Sequence, residues 1–457
     1  MSPKSEAISA QSSSPNAGTV LNLAWPMALK AVLLHGAVVI DGWLVSSLGE
    51  FQLASLGLAA AIAGFPLGTI LAFAHAMQIK TAQTFGRDDN HALKSVLFSG
   101  LLISLSVSLL LIGLIIAIDA PVLEILSPDP LITSYALNYL SVFFFFILGE
   151  SIGQCLSSYF NGCGQTKMPL FSYCLAVPVN IISSIILIHG YFGMPTFGVV
   201  GAAMGSVLGV VVQLAFLIAM LYRLNLPLLK IKFAPAFNFS LTTLQQFLFS
   251  LPIAMTFMSA TFSSRVAELM YAKMTLNEFA AMTIVMPWIM VAGTIAMQWS
   301  QATGIIIAQL LGQRASPETL TRFLSKAWRG VFFAASIVAC LYTILCISSP
   351  YIYGSLSDET TSILVNFVPI LILLPFIRST NAICGNTLRA SGDTIYVMNL
   401  FLLSQWLFRL PLIALAIFYF DLSAFHVLTI LLLEEIVKFF PFHIRLYSGR
   451  WRTALIK

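Results

Sequence analysis

The 457-residue chain is 58% hydrophobic and 9% charged, with a mean hydropathy of +0.92. A soluble domain carries about 25% charged residues, so composition excludes a single water-facing domain of this length, and a disordered chain as well. The net charge of +5 is not gathered into a basic block that a nucleic-acid backbone could follow, which leaves an all-α polytopic membrane protein.

Residues 1–19 are polar and Ser-rich, with Lys4 and Glu6 as their charges. The apolar run from Val20 to about Ser47 is far longer than a signal-peptide core, so a retained first span behind a short cytosolic tail is expected. Further apolar stretches follow at about 52–79, 95–118, 131–160, 169–189, 198–222, 244–272, 279–311, 328–349, 361–388, 395–418 and 424–444. Twelve spans place both termini on one side. The tails and even-numbered connections hold seventeen Lys and Arg, among them Arg87, Lys167, Arg314 and Arg450, whereas the odd-numbered connections hold Lys273 alone. That asymmetry predicts cytosolic termini. Spans this long, without alternation, exclude a membrane β-barrel.

The halves repeat. Trp25-Pro26-Met27-Ala28 opens span one and Leu251-Pro252-Ile253-Ala254 opens span seven, a sequence offset of 226. Ala82-Gln83 with Gly86 recurs as Ala308-Gln309 with Gly312, again at 226, and the turn Gly164 to Thr166 recurs as Gly392 to Thr394 at 228. Three matches in order mark an internal duplication. Six spans per half make the repeats parallel, related by an axis along the membrane normal, as in alternating-access transporters. The expected organisation is a cytosolic tail (1–19), an N-lobe (20–222), a cytosolic linker (223–243), a C-lobe (244–446) and a second cytosolic tail (447–457).

These landmarks resemble the multidrug and toxic compound extrusion (MATE) family over nearly all the chain after residue 20. The carriers are Val39-Ile40-Asp41 with Leu48-Gly49 and Leu53-Ala54, Thr81 to Gly86, Asn161 to Pro169, Leu388 to Thr394, Gly198 to Ala203 and Ser448 to Trp451. The resemblance implies a bacterial inner-membrane exporter of organic cations and other amphipathic compounds, driven by protons or sodium. By the same resemblance Asp41 stands at the family's acidic coupling position and Asn180 at its companion. Ser184 stands where a second acid is usual, and Arg378 and Ala260 approximately where sodium-coupled relatives carry acids in the C-half. These departures favour protons over sodium and an N-lobe coupling set of Asp41, Asn180 and Ser184.

Charges inside a span each need a reason. Arg265 with Glu268, and Glu434 with Lys438, can pair along one helix face. Lys30 is expected to snorkel to the cytosolic surface. Asp41 has no basic neighbour within four positions, and a buried carboxyl without a counter-charge suits a reversible proton carrier. Pro26 precedes it by about four helical turns and is the expected hinge. Glu150 lies mid-span with Gln154 one turn on, and with Tyr139 these are the candidate substrate contacts, an acid and an aromatic face suiting cations.

No cofactor and no metal site are expected, since Cys155, Cys163, Cys174, Cys340, Cys346 and Cys384 form no CxxC pair. The absence of a P-loop, nucleophile elbow or zinc-protease motif argues against an enzyme. Expected partners are small-molecule drugs, organic cations, protons and membrane lipid, with no nucleic acid and a monomeric protein. The alternatives are a sodium-coupled exporter and a flippase for lipid-linked sugars.

Overall fold

A computed structural model of the chain describes residues 15–126, 129–230, 239–353 and 356–452. The first part of the expected N-terminal tail (1–14), the centre of the expected linker (231–238) and the end of the C-terminal tail (453–457) lie outside these residues. All regular structure among the described residues is helical. The first half comprises α1 (Ala17–Ser46), α2 (Glu50–Gly86), α3 (Asn90–Leu126), α4 (Pro130–Gly162), α5 (Lys167–His189) and α6 (Val199–Lys230). The second comprises α7 (Phe239–Tyr271), α8 (Leu276–Gly312), α9 (Pro317–Ile352), α10 (Asp358–Ala390, broken at Phe367), α11 (Thr394–Tyr419) and α12 (Ala424–Tyr447). The shortest, α5, has 23 residues and reaches about 35 Å at 1.5 Å per residue, enough for a hydrocarbon core of about 30 Å.

Eleven of these helices are long and apolar enough to cross a membrane. The twelfth, α12, fails the apolarity test because Glu434, Glu435 and Lys438 fall close together within it. Its charges are neutralised inside the protein. Lys438 lies 3.1 Å from Glu434 and 2.9 Å from Glu435, and Arg409 of α11 lies 3.3 Å from the other oxygen of Glu434. Ser404 donates to Glu434 at 3.2 Å, and Asn381 of α10 donates to Glu435 at 2.9 Å. Two acids and two bases thus close on one another, which removes the main penalty of placing them in lipid.

Helix starts follow local chemistry. Asp129 accepts the Leu131 amide ahead of Pro130, Thr275 and Glu278 form a capping box, and Ser316 accepts the Thr319 amide ahead of Pro317. The duplication extends to the backbone. Asp88 and Arg314, related by the same offset as the two prolines, both take φ 54°, while Gly164 and Gly392 take φ 79° and 89°. Non-glycine residues take this left-handed conformation in only a few per cent of cases, and Arg is not among the enriched types, so the same turn has been built twice.

Residues Leu29–Ala254 form one compact unit; residues up to Ala28 and from Met255 onward form the other. Both divisions fall inside a helix, just beyond Pro26 of α1 and Pro252 of α7. Among the described residues the first unit holds two apolar cores. One includes Val45, Ile70, Tyr139, Phe143 and Ile147, the other Met77, Leu97, Cys155, Tyr159 and Phe160. Along α4 a polar interval containing Glu150 and Gln154 separates Ile147 of the first core from Cys155 of the second. In the other unit the described residues include a large core with Val285, Tyr342, Phe367, Leu371, Ile413 and Val427.

Candidate functional site

Two hydrogen-bonded groups in the unit Leu29–Ala254 contain Asp41 and Glu150. The first joins α1, α5 and α6. Asp41 is half-buried on α1 and accepts a hydrogen bond from the Ser206 hydroxyl of α6 at 3.4 Å. The Asn180 amide of α5 donates to Ser206 at 3.1 Å, and Ser184 donates to the Asn180 carbonyl at 3.3 Å. The second carboxylate oxygen of Asp41 is buried without a partner. Asp41, Asn180 and Ser184 therefore share one chain of hydrogen bonds, and Ser206 bridges the acid to the rest.

Close backbone approach makes this possible. A Cβ at Gly205 would overlap the Ser184 hydroxyl, one at Gly209 would lie 3.0 Å from Asn180 Cβ, and one at Gly201 would lie 2.7 Å from the backbone of Leu187 and Ile188. The stripe of small residues on α6 thus lets α5 lie against it at the level of its polar side chains.

The second group joins α1, α4, α5 and α6. Glu150 is 4% exposed, and one of its oxygens accepts from the Tyr173 hydroxyl at 2.5 Å and from the Gln154 amide at 2.6 Å. The same amide lies 3.0 Å from the Tyr173 hydroxyl. Lys30 of α1 donates to the Gln154 carbonyl at 3.0 Å and stands 5.0 Å from the Tyr173 ring centroid. The snorkelling expected of Lys30 is therefore not observed: its ammonium turns inward, because an amide carbonyl, an aromatic face and a nearby acid solvate it there. Glu150 Oε2 and Gln213 Nε2 are buried without hydrogen-bond partners.

Tyr139 does not join Glu150 and Gln154. It lies in the first apolar core, stacked on Phe143 with centroids 5.1 Å apart. Three helical turns separate it from Glu150, about 16 Å along the helix. Pro26 is buried in α1, near the point where the two compact units divide.

Elsewhere, Arg265 and Glu268 pair at 2.8 Å but are 73% and 45% exposed. Arg409 serves the buried network of α12 and also donates to Ser263 at 2.6 Å. Sequence reading missed Ser206, Tyr173 and Gln213. A serine beside Gly205 in a small-residue stripe, and a tyrosine and a glutamine inside apolar spans, were the available signals, but nothing in their spacing says which helices face each other.

A family model described as MatE matches residues 26–186 and 252–415, beginning at the two repeated prolines. The chain is 22% identical over 438 residues to a probable multidrug resistance protein NorM of Streptococcus pneumoniae strain R6, covering 95% of this chain and 94% of that one. It is 23% identical over 405 residues to the uncharacterized transporter YisQ of Bacillus subtilis strain 168, covering 86% of each. Among solved structures, an outward-facing multidrug resistance MATE transporter of the MOP superfamily superposes with TM-score 0.83 at 16% identity over 95% of this chain and 97% of its own. A MATE crystal structure in the bent conformation gives 0.83 at 17% identity over 95% and 97% of the two chains. With the family model matched in both halves and the fold shared over nearly the whole length, the chain belongs to the MatE family and is a membrane transporter, not an enzyme.

Proposed function

We propose that the chain is a secondary-active multidrug exporter that extrudes cationic and amphipathic organic compounds in exchange for protons by alternating access. It acts in a bacterial inner membrane, with cytosolic termini, an N-lobe over 20–222 and a C-lobe over 244–446. Asp41, with Asn180 and Ser184, forms the proton-coupling set; Pro26 is the hinge of the helix that carries it; Glu150 and Gln154 contact substrate.

One observation carries this reading: the hydrogen-bond chain from Asp41 through Ser206 to Asn180 and Ser184. The described ion pairs give Asp41 no basic partner. A carboxylate held by neutral donors can accept a proton without breaking an ion pair. Protonation removes its charge, adds one O–H donor and leaves a weaker acceptor for the Ser206 hydroxyl, so the balance of hydrogen bonds around Asp41 changes. Because Asp41 and Pro26 share α1, that rearrangement acts on a helix with a built-in flexible point. A tenfold difference in proton affinity between two conformations shifts their ratio tenfold, about 1.4 kcal/mol.

Efflux of a fluorescent organic cation from everted vesicles, driven by a pH gradient without sodium, tests the reading. Wild type should transport, and Asp41→Asn should fold but lose proton-driven efflux. Undiminished efflux by Asp41→Asn would place the coupling elsewhere, and wild-type efflux that needs sodium would establish the sodium-coupled alternative.

A further inference from the structure

The Glu150 cluster has the composition of a cation site: a carboxylate, an amide carbonyl and an aromatic face. It is already occupied. Lys30 Nζ takes the Gln154 carbonyl at 3.0 Å and the face of Tyr173 at 5.0 Å. If Lys30 served only to neutralise Glu150, a direct ion pair would be the simplest arrangement. Among the described residues no such pair forms, and the Gln154 side chain stands between the two, its carbonyl toward the ammonium and its amide toward the acid. The two buried atoms left over, Glu150 Oε2 and the Gln213 amide nitrogen, border the same glycine, Gly153, and so lie beside each other. The carboxylate itself is 4% exposed.

We propose that Lys30 is a resident ammonium that occupies the transporter's own cation site, and that a cationic substrate binds by taking its place against Gln154, Tyr173 and Glu150. This rests on the reading of Glu150 and Gln154 as substrate contacts. The ligand class is an organic cation with an apolar body, its charge set against the Gln154 carbonyl and the Tyr173 face that Lys30 now takes. Lys30 then sets specificity: a weakly bound cation cannot displace a tethered competitor, whereas a cation with a large apolar body can.

Equilibrium binding of ethidium to the purified full-length protein at pH 8, without any gradient, tests this. Lys30→Met and Lys30→Gln should each tighten ethidium binding about tenfold, in keeping with the loss of a desolvated cation–π competitor. Ethylammonium at millimolar concentration should displace ethidium from Lys30→Met and not from wild type, and adding Glu150→Gln should abolish the gain. Lys30→Gln keeps a hydrogen-bonding group toward Gln154, and thermal unfolding identifies which variants are folded. Unchanged or weaker ethidium binding in the folded variants, or equal displacement by ethylammonium in wild type, would overturn the proposal. Binding without a gradient does not depend on proton coupling, so this result stands apart from the efflux assay.

Discussion

Ser206 holds Asp41 to the amide of Asn180 with a single hydroxyl. A net hydrogen bond contributes about 0.5–1.5 kcal/mol, so Ser206→Ala should reduce proton-driven efflux about two- to tenfold without abolishing it, read in the same vesicles. Gly205 makes a different demand. A methyl there would overlap the Ser184 hydroxyl, and relief requires α5 and α6 to separate. Gly205→Ala should therefore lower thermal stability in detergent by about 1–3 kcal/mol and reduce efflux as well. Asp41 was legible as a candidate because an unpaired acid in an apolar span has few structural explanations. Ser206 was not, because a serine in a span commonly bonds its own helix backbone, as Ser108 and Ser151 do here.

Two helices carry an internal proline at a unit boundary, and one is held by buried charges. Pro26 and Pro252 each remove a backbone hydrogen bond near the point where α1 and α7 pass from one compact unit to the other. Pro26→Ala and Pro252→Ala should both slow efflux while leaving equilibrium drug binding close to wild type, as expected if each proline serves the movement. In α12 the opposite holds. Arg409 pairs with Glu434, which also accepts from Lys438 and Ser404. Removing one partner of a buried pair costs about 3–5 kcal/mol, so Arg409→Met should sharply lower thermal stability, and adding Glu434→Met should restore much of it. If the double variant is no better than the single one, the pair is not what holds α12. One more contrast follows from the duplication. Glu150 precedes Gly164 by the same interval that separates Arg378 from Gly392, the glycines of the repeated turn. The same position thus carries an acid, buried, in one half and a base, exposed, in the other. Duplicated scaffolds with opposite charge at one level cannot share one function there, and the sequence offset alone makes this visible.

At the scale of the molecule, the distribution of Lys and Arg is the argument for orientation. In a variant with all six cysteines replaced, including the exposed Cys174 and Cys340, single cysteines at Asp88 and Arg450 should react only from the cytosolic side. Those at Asp129 and Asp358 should react only from outside. Labelling of both sets from one side would refute the assigned topology. The twelve spans were readable from composition because lipid permits few spanning structures: backbone groups must bond within the segment, so each apolar run of about 20 residues has to be a helix. The duplication was readable because offsets in sequence survive divergence of side chains. Tertiary structure alone decided that α12 buries three charges, that Lys30 turns inward to Tyr173 rather than outward to the surface, that Tyr139 lies with the first core instead of with Glu150, and that Ser206 completes the chain from Asp41. Each of these depends on which faces of different helices meet. A hydrophobic run has nearly the same composition on every face, so local sequence carries the length of a membrane helix but not its rotation, and rotation is set by packing against neighbours distant in the chain.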